Sequence, residues 1–178
     1  TNIMTLSTGQ DYQGIDHFAT LFAQCLSIAK EHLTLRRCDR IGVRFLDLVP
    51  DADQLGTNWQ NWFKGEIVGW PASDIVGGGT SLVSSVSQTH LSSGHTVEDR
   101  VVYPGAIQAI IRHGVANADS LIPGIPPVAL ATRSFFLDLD FFVAVPQKFE
   151  VDTIQEQFRG LHSQADRFFR WSLTADGE

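Results

Sequence analysis

The chain has 178 residues, enough for one domain with a sizeable core, since roughly 70% of an unfolded chain's surface is buried at this size. Its net charge is −7, and only 3 of its 13 basic residues are lysines. General nucleic-acid binding is excluded on that balance, because phosphate contacts need a positive surface. No apolar run approaches the ~20 residues of a membrane span, and no basic stretch followed by an apolar one opens the sequence.

Residues 1–15 are polar and turn-like, with a short extended piece around 3–6. The chain does not begin with Met, and a fragment or a processed product is expected. Asp16 is placed to cap a helix over 16–34, whose buried stripe is Phe18, Leu21, Phe22, Cys25, Ile28 and Ala29. Cys25 reads as a buried free thiol, and Cys38 follows the helix. Two cysteines make neither a disulfide framework nor a zinc site, which points to the cytoplasm.

Residues 40–49, RIGVRFLDLV, predict a strand with Ile41, Val43 and Phe45 on one face and Arg40, Gly42 and Arg44 on the other. Pro50 ends it. The stretch 51–70 carries Trp59, Trp62, Phe63 and Trp70, a short helix and loop closing over the core. Gly77, Gly78 and Gly79 break the chain. A strand over 81–91, a turn at 92–94 and a return strand over 96–103 then make a hairpin. A further strand fits 106–114, followed by a Pro- and Gly-rich loop.

The strand over 133–145 is the strongest, with Phe135, Leu137, Leu139 and Phe141 on one face and Phe136, Asp138, Asp140 and Phe142 on the other. Asp152, with Gln155 three residues on, caps a last helix over 153–171. Its buried stripe is Ile154, Phe158, Leu161, Ala165 and Phe168. The fold class is α+β: an antiparallel sheet of four or more strands with helices packed on one face, in a single domain. The other face must also be covered, because Phe136, Phe142, Leu46 and Leu48 point that way. Loop residues such as Trp59 and Trp62, or a second chain, would supply the cover. The partner expected is therefore a protein or another copy of this chain.

With these elements placed, the chain resembles the C-terminal two-thirds of a sporadically distributed family of hypothetical bacterial and archaeal proteins. The resemblance rests on Tyr12, Gly14, Ile15 and Phe18, on the strand Arg40–Phe45, and on Arg112, His113 and Gly114. It continues through Leu137–Asp140 and then Leu161, His162, Phe168 or Phe169 and Thr174. Asp47 stands near a position where the family has Asn, and the final Thr174-Ala175-Asp176 departs from its Thr-Asp. The resemblance implies a fold and a patchy occurrence, no reaction and no catalytic residue.

The sharpest candidates for chemistry are Asp138 and Asp140, whose i, i+2 spacing sets both carboxylates on one strand face. Such a pair can hold a hard cation or share a proton. The commoner alternative is pairing with arginines across the sheet, and Arg44 and Arg112 are both in reach. His113, between Arg112 and Gly114, could join them in an ion or phosphate site, or simply precede a glycine in a special backbone conformation. His162, beside the stripe of the last helix, reads as a structural histidine. His90 and His95 flank the hairpin turn but fall short of the four ligands of a structural zinc site. The glycine triplet lacks the lysine of a phosphate loop, and no hydrolase, zinc-protease or dinucleotide motif is present. No cofactor and no metal ligand set is expected. The function expected is a non-enzymatic interaction or assembly module, accessory to a toxin–antitoxin or phage-defence system. The alternative is a metal- or ligand-dependent enzyme using Asp138 and Asp140 with Arg44 or Arg112.

Overall fold

A computed structural model describes residues 3–9, 12–50, 59–69, 84–94, 97–98, 100–125, 130–175 and 177. The elements are α1 (Ile15–Leu33), β1 (Arg37–Cys38), β2 (Ile41–Pro50), α2 (Trp59–Trp62), α3 (Gly65–Val68), β3 (Ser85–Ser92), β4 (Val97–Glu98), β5 (Val101–Val102), β6 (Gln108–Ala116), β7 (Ser134–Val143), β8 (Gln147–Lys148) and α4 (Val151–Ser172). The glycine triplet, Trp70, His95 and the start of the strand expected at 81 lie outside the described residues. The fold is α+β. A four-stranded sheet of order β2-β7-β6-β3 is antiparallel, and α1 and α4 are the two long helices. Two compact units divide the chain, and β2, β7 and α4 contribute residues to both.

Unit 1 holds α1, the first half of α4 and two two-stranded ladders, β1–β8 and β4–β5. The apolar spacing of α1 does bury one stripe, but it is rotated from the expected one. Ala19, Leu26 and Ala29 are buried and Phe18, Phe22 and Cys25 half-buried, while Leu21 and Ile28 are exposed. The aromatic rings set this rotation: Phe18 stacks on Phe158 of α4 at 5.9 Å and Phe22 meets it at 4.8 Å. The helix cap also differs. Gly14, not Asp16, is the capping residue, and Asp16 sits in the first turn, where it accepts from Arg159 at 2.7 Å. An acid in that turn still complements the helix dipole. Helix α4 follows its expected stripe, with Ile154, Phe158, Leu161 and Ala165 all buried. Its Gly160 lets it approach Tyr103 closely: a Cβ there would stand 2.1 Å from the Tyr103 hydroxyl. The buried Gln157 is held by a reciprocal amide pair with Gln147 and by donation to the Val102 carbonyl.

The expected return strand at 96–103 does not pair with its predecessor. It is instead a short ladder of its own, with Val97 opposite Val102 and Glu98 opposite Val101. The true partner of β3 is β6, in register from Ser85↔Val115 to Ser92↔Gln108. Gly114 lies within that ladder, at φ +156, where a Cβ would meet the Ser85 carbonyl at 2.0 Å.

Unit 2 holds most of the sheet, α2, α3 and the end of α4. On one face Phe135 packs against Trp59 at 5.8 Å and Phe63 at 5.0 Å, and Phe141 against Phe168 at 6.4 Å. The backbone around Phe63 is tied to the end of α4 by the Phe63↔Leu173 bridge and by Lys64 N–H donating to Ser172. On the opposite face Phe136 is fully buried among Ala116, Ile122 and Leu130, with Leu46, Leu48 and Ile125 at the margin. The second face is thus roofed by the chain's own loop after β6. The tryptophans named for that role do not supply it: Trp59 lies on Phe135's face, and Trp62 is 46% exposed. Phe142 is half-buried, with the Arg40 guanidinium 4.3 Å over its ring.

Candidate functional site

The chemistry-bearing residues of unit 2 gather on the roofed face of the sheet. Strand alternation puts Arg44, Asp138 and Arg112 on the same side of β2, β7 and β6, which are neighbours. Asp138 is fully buried and sits between the two arginines. Arg44 Nε donates to Oδ1 at 2.6 Å and Nη2 to Oδ2 at 2.9 Å, a bidentate grip, while Arg112 Nη1 donates to Oδ2 at 2.9 Å. The arginine side chains are 31% and 12% exposed, so the cluster is screened little by solvent. Arg44 Nη2 also donates to the Gly124 carbonyl at 2.7 Å.

Gly124 is what brings the loop down onto these arginines. It has φ +76, a conformation costly for other residues, and a Cβ on it would stand 3.0 Å from Arg112 Nε. The loop is stitched by Asp119 N–H donating to Leu130 and Ile125 N–H donating to Ile122. It covers an apolar patch around Phe136 and the adjoining ion cluster on one sheet face.

The polar row continues to the sheet edge. Arg112 Nε donates to Gln88 Oε1 at 2.7 Å, and Gln88 Nε2 lies 2.8 Å from His90 Nε2. The amide nitrogen can only donate, so the imidazole nitrogen is the acceptor of this contact. Gln88 and His90 are the members that sequence reasoning did not place here. Their signal is the i, i+2 spacing on a strand, obscured because the local turn signal at 92–94 points that strand to a partner other than β6.

Of the other candidates, His113 lies apart from this cluster. His113 follows Arg112 and so points to the opposite face. Burial holds its imidazole below the ordinary histidine value, opposed by a hydrogen bond to the Ile67 backbone. Asp140 is half-buried on Asp138's face and has an interaction of its own. Asp47, on the face of Phe45, is a carboxylate that sequence reasoning did not single out for chemistry. Burial raises it to about 6.

Among the described residues no group of three or more His, Cys, Asp and Glu side chains could hold a metal ion. Both cysteines are free and half-buried. Burial, with the Asp39 charge nearby, pushes the Cys38 thiol up, against the direction a nucleophile needs. Two shallow depressions mark the surface of unit 1. One is lined by α1 residues such as Thr20, Gln24 and Ile28, the other by Arg36, Arg37 and Lys148, and neither by a carboxylate, imidazole or thiol. Among the described residues no helix is long and apolar enough to cross a membrane. No family model, no curated protein and no solved structure matches this chain.

Proposed function

We propose that the chain is a non-enzymatic interaction or assembly module in which Asp138 anchors the sheet rather than performing chemistry. The observation that carries this reading is the saturation of that carboxylate. Three guanidinium N–H groups occupy its two oxygens, and no part of it is exposed to solvent. A hard cation needs six or so oxygen ligands, and here it would meet two fixed positive charges instead. Arg44 and Arg112 are likewise committed, which leaves neither of them free to clamp an anionic substrate. A buried ion cluster of this kind sets strand order and register more than it adds stability. The accessory role in a toxin–antitoxin or phage-defence system rests on the family resemblance alone. A cytoplasmic setting is supported by the two free thiols.

The test is a thermal-shift panel of divalent cations and nucleotides on the wild type and on Asp138→Asn. The module reading expects no ligand-specific stabilisation of either protein. Strong stabilisation by one cation that disappears in Asp138→Asn would establish the enzyme alternative instead. Affinity capture from the native host, read by mass spectrometry, then identifies the partner.

A further inference from the structure

Strand β3 is a sheet edge with none of the usual guards among the described residues. Natural edge strands are kept from pairing with other chains by lysines, prolines, bulges or short length. The sequence of β3, SVSQTHLS, has no proline and no charged residue, and its eight pairs with β6 run without a bulge. Every residue from Val86 to Ser92 is exposed, including Val86 at 46% and Leu91 at 44%. Among the described residues no strand pairs with its outer side.

Charge and symmetry select the occupant. The chain carries −7, yet β3 carries nothing, and the only Lys, Arg, Asp or Glu in β6 is Arg112, already opposed by Asp138. Two copies can therefore meet through this arm without bringing acidic surfaces together. A two-fold axis normal to the sheet preserves its faces, so even residues must oppose even ones and odd residues odd ones. With the axis at Thr89, that residue faces its own copy, Gln88 faces the partner's His90, and Val86 faces the partner's Ser92. An amide and an imidazole are complementary groups, and within one strand Gln88 and His90 already bond at 2.8 Å. The polar row that starts at Arg44 would then continue from one copy into the next. Facing threonines are also a favourable cross-strand pair.

We propose that β3 is the self-association edge of this chain: two copies pair β3 to β3, antiparallel about a two-fold axis at Thr89, joining their sheets into one of eight strands. The proposal deepens the module reading and rests on it, naming a second copy as a partner. One strand pair is a small contact beside the roughly 1,200–2,000 Å² of a standard interface, so the dimer is reversible and concentration-dependent.

The experiment is sedimentation velocity on the full chain over a concentration series, with Thr89→Lys, Thr89→Glu and their equimolar mixture. Thr89 is exposed, and circular dichroism confirms that each variant keeps its fold. The wild type should pass from monomer to dimer as concentration rises. Each variant alone should stay monomeric, because it sets like charges opposite each other at the axis. The mixture should associate at least about tenfold more tightly than either variant alone. A wild type that stays monomeric throughout, variants that dimerise as the wild type does, or a mixture that gains nothing would overturn the proposal. These outcomes leave the module reading intact; that reading falls to a different result, the cation response lost in Asp138→Asn.

Discussion

Arg44 grips both oxygens of Asp138, at 2.6 and 2.9 Å, from a strand 94 residues away in sequence. Two fork-like N–H donors on one planar carboxylate fix distance, plane and register together. Arg112 completes the cluster from the other side, so three adjacent strands are locked at one level of the sheet.

Gly160 should not tolerate a methyl group. Alanine is worth up to ~1 kcal/mol over glycine in a helix interior, but here its Cβ would collide with the hydroxyl of a rigid, buried Tyr103. Overpacking should win, and Gly160→Ala should lower stability by about 1–3 kcal/mol in urea unfolding. Adding Tyr103→Phe removes the colliding oxygen and should recover part of that loss. A Gly160→Ala protein more stable than the wild type would show that α4 is not held this close to Tyr103.

Asp47 should make stability depend on pH in the opposite sense to a salt-bridged acid. Its folded value, about 6, lies above the ordinary 3.8. The folded state therefore binds the proton more tightly. The stabilising contribution is complete below pH ~4 and is lost as pH rises through about 6. Asp47→Asn should be more stable than the wild type at pH 7.5, by up to about 2 kcal/mol once partial solvent contact is allowed for, and indistinguishable from it near pH 4. Paired melts at the two pH values decide this.

Phe136 reports on the roof. Phe136→Ala should cost about 3–5 kcal/mol, because its ring fills the space under Ile122 and Leu130. Faster amide exchange in segment 117–125 should accompany the loss. An effect below about 1 kcal/mol would mean that the loop does not close the second face.

The elements were legible where side-chain pattern alone decides them. The apolar residues on both faces of residues 134–143 announce a central strand, and the stripe from Ile154 to Ala165 announces a core helix. The pairing of Asp138 with Arg44 and Arg112 could be anticipated as the alternative to a cation site, because parity places all three on one face. Partner choice was less legible. The Ser92–Gly94 turn looks local, yet β3 pairs with β6 across an inserted short ladder, a long-range preference that no local turn signal carries. The roof over Phe136 was hidden for a similar reason, since Ile122, Ile125 and Leu130 sit in a loop with no periodicity. In α1 the spacing fixed a stripe but not its phase, which the Phe18 and Phe22 contacts with Phe158 determine.

The most direct measurement on the central claim is a double-mutant cycle between Arg112 and Asp138, using Arg112→Met, Asp138→Leu and the pair, with stability read from urea unfolding. If the carboxylate is a structural anchor, Asp138→Leu should cost about 3–5 kcal/mol by stranding two arginines, and Arg112→Met about 1.5–3 kcal/mol, since Arg44 still holds the carboxylate. The double change should cost well under the sum, a coupling of roughly 2 kcal/mol or more. Additive single effects, or an Asp138→Leu protein as stable as the wild type, would contradict the account.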